Sequence, residues 1–313
     1  MESTFGVESP AFVAVRAVLS MATVGLLGSL ALRWAVLLRY VGPDSMELRE
    51  AVDRRLGRWV ARLAAVAILG TLARFAAQHA AVFGTDGDVT VQSLSALIFR
   101  SAWGRSWWLA FLASLVIAGL APRLRGASRG PWIGAACAIL VFAIAQPLSG
   151  HPAAAHNPWL ATAVQSLHLV GAGGWIGSLA LLTAVAIPVA RTLPAELPGD
   201  SDVRVAELIR AFSPTALVFA SALGLTGLFT AWNNLGGLAP LWESPYGRTL
   251  LLKLALLSVA AGTGAYNWRR VLPHLGTPEA SARLRRSSLV ELAAAMMVLV
   301  VTAVLVATPM PWE

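Results

Sequence analysis

Eight runs of apolar residues, each near the length of a transmembrane helix, constrain this chain more than any other feature. They cover residues 12–38, 60–83, 107–121, 132–148, 159–190, 212–232, 250–268 and 289–308. A bilayer core about 30 Å thick needs roughly 20 apolar residues when a helix rises about 1.5 Å per residue. The sequence therefore predicts an all-α, polytopic transmembrane helix bundle of about eight spans.

The overall composition agrees with a membrane protein. Hydrophobic residues make up 57% of the 313 residues and charged residues only 13%, with a mean hydropathy of +0.68. Soluble domains carry about 25% charged residues, so this chain lies far outside that class. The segment 84–106 is predicted to be an amphipathic stretch at the membrane surface rather than a ninth span. Residues 1–313 are predicted to form a single transmembrane domain.

The basic residues predict how the bundle is oriented. The predicted loops 39–62, 122–130, 191–211 and 269–287 hold 17 of the 24 Lys and Arg, and all four fall on one side of an eight-span bundle. By the positive-inside rule this side is cytoplasmic. Both termini and the turn at 150–157 then face outward, which means the periplasm for a bacterial inner membrane. The net charge of +8 thus reports topology and does not indicate a nucleic-acid partner.

The stretch 149–182 contains three of the five histidines and is the candidate site. His151 and His156 fall in the outward turn, and the pair Asn157-Pro158 is a typical helix start. His168 then lies about 15 Å along the fifth span, inside the bilayer. An ionisable residue at this depth indicates a functional site, although a histidine packed and hydrogen-bonded between helices is the structural alternative.

Other polar residues extend this candidate site. His79 is predicted near the outward end of the second span, so four of the five histidines map to the outer half of the membrane. Imidazole binds copper, zinc, iron and nickel, and the residue type alone does not choose among them. Arg74 and Lys253 are predicted in the same outer half, while Glu291 is predicted to pair with Arg285 or Arg286 near the cytoplasmic end of the eighth span.

Several motifs resemble the CopD copper-resistance family of inner-membrane proteins. They are SGH at 149–151, LHLVGAGGWIGSLALL at 167–182, AFSPTAL at 211–217, YGRTLLLKLALL at 246–257, AYNWRRVLP at 265–273 and the closing VEL…VLVATPMPW segment. The motifs occur in order and cover about half the chain, from Ser149 onward. The first 145 or so residues resemble the family in hydropathy alone.

The resemblance implies a non-enzymatic copper-handling protein that moves copper from periplasm to cytoplasm, alongside periplasmic copper carriers. It carries over to His151, His168 and Trp175 as site residues. The later motifs add further matching residues without an assigned role: Tyr246, Arg248, Lys253 and Asn267. His156 and His79 match no family motif and rest on position alone.

Two alternatives remain open from the sequence. One is a b-type haem protein for electron transfer, with His168 and His79 as axial ligands and Arg74 or Lys253 near the propionates. The other is an assembly factor for a copper oxidase, in which the histidines bind copper transiently. A Soret band would identify the first, and loss of oxidase activity without a change in cellular copper would identify the second.

Overall fold

The computed structural model describes residues 10–42, 44–84, 89–126, 128–150, 157–194, 200–271, 278–308 and residue 311, and over these the fold is all-α. The helices are α1 (Pro10–Ala31), α2 (Ser45–Phe83), α3 (Val91–Phe99), α4 (Ala102–Leu120), α5 (Arg129–Ala145), α6 (Pro158–Ala172), α7 (Ser178–Leu181), α8 (Ile187–Thr192), α9 (Asp200–Leu235), α10 (Pro240–Glu243), α11 (Pro245–Tyr266) and α12 (Pro278–Ala307). Turns of π-helix extend α1 and α11 and join α6, α7 and α8 into one continuous span.

The predicted number of spans is confirmed. Within the described residues, eight helical segments are long and apolar enough to cross a bilayer, at 10–36, 45–83, 102–125, 129–149, 158–192, 201–235, 245–271 and 286–307. Within the described part of the surface segment 84–106, α3 has nine residues and is too short to span, and the third span begins at Ala102.

Three of the predicted loops are largely helical in their described residues, so the boundaries predicted for them are wrong. Helix α2 begins at Ser45 rather than near residue 60, α9 at Asp200 rather than near residue 212, and α12 at Pro278 rather than near residue 289. The extension of α2 is stabilised by an apolar stripe at every fourth position, formed by Leu48, Val52, Leu56 and Val60, all fully buried. This amphipathic portion is not a continuous apolar run, because charged residues alternate with its apolar stripe.

The fifth span, 158–192, lies at the centre of the bundle. In its most apolar stretch of 18 residues, 72% of the residues are buried, whereas the corresponding share in the other spans is between 11% and 44%. Helix α1 packs against it at Gly28 and Gly177, where a Cβ on Gly177 would lie 2.0 Å from the carbonyl oxygen of Val24. Gly173 and Gly177 form a pair of small residues four positions apart, which permits this close approach of α1.

Arginines on the basic side hold the helix ends together. Arg33, in the π turn that follows α1, forms a two-point salt bridge with Asp53 of α2, with N–O distances of 3.1 and 3.0 Å. Its guanidinium also lies 4.7 Å from the ring centroid of the fully buried Trp132 in α5. Spans one, two and four are thus joined at a single cation.

A second cluster on this side surrounds Asp44, in the short turn before α2. Its carboxylate forms an ion pair with Arg204 of α9 and accepts a hydrogen bond of 2.9 Å from the hydroxyl of Tyr40. Burial and the neighbouring Asp44 raise the pKa of Tyr40, so its hydroxyl stays protonated and donates. Arg204 also donates to the carbonyl of Leu193 at the end of α8. The cluster closes the basic side around the fifth span.

Candidate functional site

The outward turn of the candidate site lies partly outside the described residues. His151 and His156 both fall in the undescribed segment 151–156, and His274 falls in 272–277. The structure does describe the two ends of this turn, at Gly150 and Asn157. The geometry of the site therefore begins from those ends.

Arg74 of α2 anchors the first end of the turn. Its guanidinium donates to the side-chain oxygen of Gln146 at 3.2 Å and to the backbone carbonyl of Ser149 at 3.0 Å. The same cation lies 5.9 Å from the ring of Trp103. Ser149 is two residues before His151, so Arg74 fixes the backbone from which the SGH motif leaves the membrane.

Asn157 anchors the second end, as predicted. Its side-chain oxygen accepts a 3.2 Å hydrogen bond from the backbone N–H of Leu160, and Pro158 is the first residue of α6. The cap provides a hydrogen-bond acceptor for a backbone amide that would otherwise lack a partner at the helix start. Helix α6 therefore descends directly from the histidine-containing turn toward His168.

His168 projects from α6 against α9. Its Nδ1 lies 3.0 Å from the hydroxyl oxygen of Thr226, and the ring also hydrogen-bonds the backbone of Leu223. A Cβ at Gly227 would lie 3.3 Å from Cε1 of the ring, so the imidazole rests directly on the α9 backbone. These contacts hold the ring in one orientation inside the bundle.

The hydrogen bonds of Thr226 favour one tautomer of His168. Two carbonyls can accept the threonine hydroxyl proton, that of Ala222 at 2.6 Å and that of Leu223 at 3.2 Å. A hydroxyl that donates to either carbonyl has its oxygen available to accept from Nδ1–H of His168. The lone pair is then on Nε2, which is the arrangement of a metal-binding histidine whose other nitrogen is held by a second-shell partner.

Lys253 of α11 lies close enough to His168 for its charge to act on the ring. It is the single lysine of the chain and occurs about two turns inside the helix that begins at Pro245. The ion pairs among the described residues join arginines to carboxylates and do not include Lys253. A positive charge at this position opposes the binding of a cation at His168.

His79 occupies a different junction from His168. Its Nε2 lies 2.9 Å from the hydroxyl of Ser93 in α3, and its ring packs 4.9 Å from that of Phe83. Ser93 also forms the capping box of α3 with Thr90, so His79 ties this short helix to the end of α2. The described part of the chain contains no group of three or more His, Cys, Asp or Glu able to hold a metal. His151 and His156 are not among the described residues.

Tyr246 and Arg248 lie at the corner that leads into α11. The buried hydroxyl of Tyr246 accepts a 2.9 Å hydrogen bond from the amide of Asn234, and the exposed Arg248 donates to the carbonyl of Trp242 at 3.0 Å. Between them, Gly247 packs so closely that a Cβ would lie 2.2 Å from the carbonyl oxygen of Pro240. The YGR motif thus builds the corner between α10 and α11.

Trp175 belongs to a buried polar cluster that the sequence analysis did not identify. It hydrogen-bonds Glu291 of α12, and Nδ2 of Asn267 donates to the same carboxylate at 3.5 Å. Glu291 was predicted to pair with Arg285 or Arg286: the side chain of Arg285 lies outside the described part of the structure, and the exposed Arg286 makes no ion pair with Glu291. Trp175, Asn267 and Glu291 each lie in a motif that resembles the CopD family. This shared family resemblance is the one sequence signal that could have grouped the three residues.

Two family models match the chain. The one described as copper resistance protein D-like, N-terminal domain, matches residues 7–162, and the one described as copper resistance protein D matches residues 206–305. Together they cover most of the chain. The match at 7–162 corrects the expectation that the N-terminal half resembles the family in hydropathy alone.

A curated relative also carries a copper name. The copper transport protein CutJ of Bacillus subtilis (strain 168) is 25% identical to this chain over 220 residues. The aligned part covers 69% of this chain but only 38% of that relative, so the chain spans well under half of the relative's length. No solved structure matches.

Proposed function

Because the chain belongs to the copper resistance protein D family, we propose that it binds copper at the outward face of a bacterial inner membrane and moves the ion toward the cytoplasm. The descriptions of its family and its relative name copper resistance and copper transport rather than a catalysed reaction. A periplasmic copper carrier is the proposed donor. Copper is then the cargo of the protein.

The observation that carries the proposal is the orientation of His168. A ring with Nδ1–H donated to Thr226 offers Nε2 to a metal ion from within the bundle. His151 and His156 would receive copper above it, since Arg74 and Asn157 hold the two ends of their turn. His79 has less support as a ligand, because its Nε2 is already bonded to Ser93.

That bond also gives the haem alternative less support, because it engages Nε2 of His79, the ring nitrogen farther from the backbone, and leaves only Nδ1 for iron. The deciding experiment is an equilibrium titration of the purified protein with copper(I) under reducing conditions, with copper(II) in parallel. We expect His151→Ala and His168→Ala each to lower the copper affinity roughly tenfold or more. His274→Ala is the control, because the sequence puts His274 on the cytoplasmic side. Unchanged affinity in both test variants, or a Soret band in the isolated protein, would overturn the proposal.

Lys253 gives the proposal a second test. A transport site must bind its ion strongly enough to capture it and weakly enough to release it. We propose that the charge of Lys253 keeps copper at His168 from binding too tightly. Lys253→Met is then expected to raise the copper affinity roughly three- to tenfold, because it removes about 1 kcal/mol of repulsion, and to slow copper flux into liposomes. Arg248→Met removes an exposed charge from the same helix and serves as the control; equal effects of both variants would exclude a local role for Lys253.

A further inference from the structure

Glu291 is a buried carboxyl group whose described partners are neutral. Its side chain is on α12 and the residue is only 4% exposed. Trp175 and Asn267 both hydrogen-bond it, and a Cβ on Gly264 would lie 3.2 Å from Oε1. Asn267 is itself oriented by the hydroxyl of Ser287, which donates to Oδ1 and so leaves the amide N–H₂ directed at Glu291. The carboxyl group is thus held in a prepared pocket.

The pocket lies in the half of the bundle opposite the histidine turn. Trp175 is 17 residues beyond the start of α6 at Pro158, which corresponds to about 25 Å along the span. It follows His168 by two helical turns on the same face of the continuous fifth span. Between them begins the π turn Gly173–Gly177, a type of irregularity that is frequent at functional sites.

The charged groups of the elements packed against α12 are engaged elsewhere or exposed. Arg16 of α1 donates to the carbonyl of Val306 near the other end of α12, and Arg33 is paired with Asp53. Lys253 of α11 acts on His168. The other charged or titratable side chains that the structure describes on these elements are exposed or lie at the corner between α10 and α11: Tyr246, Arg248, Tyr266, Arg269, Arg270, Arg283 and Arg286. In the described part of the chain, Glu291 therefore forms no ion pair.

A carboxylate in such surroundings is unstable without a positive charge, because burial strongly disfavours the ionised form. A proton supplies that charge at rest. A copper ion entering the same low-dielectric half of the bundle supplies it instead, and its field favours the ionised carboxylate. The O–H bond of the Glu291 carboxyl group then breaks, and its proton passes to water. The net charge of the pocket region therefore rises by the charge of the copper ion minus one.

We propose that Glu291 is a proton-binding site that holds a proton in the copper-free protein and releases it when copper passes. The coupling to copper rests on the proposed function above, whereas the protonation of Glu291 does not. Trp175 is a positioning residue here, because its indole holds the carboxyl group on the span that also contains His168. Copper movement through the protein is then accompanied by proton movement.

The protonation state is tested without copper by infrared spectroscopy of the purified protein at neutral pH. We expect a protonated carboxylic acid band in the wild type that is lost in Glu291→Gln. Trp175→Phe should keep the band and shift it to higher frequency, because one hydrogen bond to the acid is removed. Glu243→Gln changes an exposed carboxylate and should leave the band unchanged. A wild-type spectrum without the band would overturn the proposal.

The coupling is tested in proteoliposomes that contain a pH-sensitive dye and receive copper(I) from outside. We expect copper-dependent proton movement in the wild type and in Glu243→Gln, and its loss in Glu291→Gln with copper binding retained. Copper flux without proton movement would overturn the proposal and leave copper transport intact. A wild type that binds no copper but shows the infrared band would instead overturn the proposed function. Trp175→Phe provides the second variant if Glu291→Gln elutes as an aggregate.

Discussion

Gly177→Ala is expected to destabilise the bundle more than any other single methyl addition on the fifth span. The added Cβ would lie 2.0 Å from the carbonyl oxygen of Val24 and 3.0 Å from Cα of Gly28, so it meets backbone rather than a flexible side chain. Spans one and five must separate to admit it. Overpacking of this kind costs roughly 1–3 kcal/mol, and a rigid backbone contact falls at the upper end of that range or above.

The matched control is Gly224→Ala, because Gly224 is also in a membrane-spanning helix and a Cβ there meets no atom within 4 Å. The control should leave stability unchanged or raise it by up to about 1 kcal/mol, since alanine has the higher helix propensity. Unfolding in mixed micelles of increasing SDS content measures both variants. Equal midpoints for the two would show that α1 and the fifth span are not in close contact.

The close contact of Gly177 with α1 also illustrates what sequence could predict. The small-residue pair Gly173 and Gly177 predicts that some helix approaches closely, because glycines without side chains permit it. The pattern does not identify the partner, which is Gly28, about 150 residues earlier in the chain. Likewise, hydropathy predicts the eight spans but not the start of α2 at Ser45, since that portion is apolar only along one stripe.

The same distinction applies to the candidate site. Local signals predict the helix start at Asn157 and place His168 inside the fifth span, because capping and rise depend on neighbouring residues alone. Contacts between spans cannot be predicted from such local signals. The approach of Lys253 to His168 and the bond between Trp175 and Glu291 join segments that are far apart in the chain. Only the packing of the whole bundle determines such pairs, so local charge and polarity could not identify Trp175 as a partner of Glu291.

Asp53→Ala is expected to cause the second large loss of stability. The carboxylate of Asp53 forms both bonds of the salt bridge with Arg33, and the two side chains are only 8% and 12% exposed. Removing one partner of a buried pair leaves an uncompensated charge and costs about 3–5 kcal/mol. The stacking of Arg33 on Trp132 would keep the guanidinium in place rather than let it reach water.

Two comparisons separate this explanation from a general loss of packing. Glu50→Ala breaks an exposed pair with Arg54, in which the N–O distance is 3.9 Å and the side chains are 50% and 56% exposed, and should cost less than about 1 kcal/mol. The double variant Arg33→Met with Asp53→Leu removes both buried charges and should recover most of the stability lost in Asp53→Ala, because the unpaired cation is what destabilises the single variant. If the double variant is as unstable as the single one in the SDS titration, the loss of stability comes from altered packing where spans one, two and four meet and not from the unpaired charge. Recovery would show that Arg33 and Asp53 stabilise the basic end of the bundle as a charge pair.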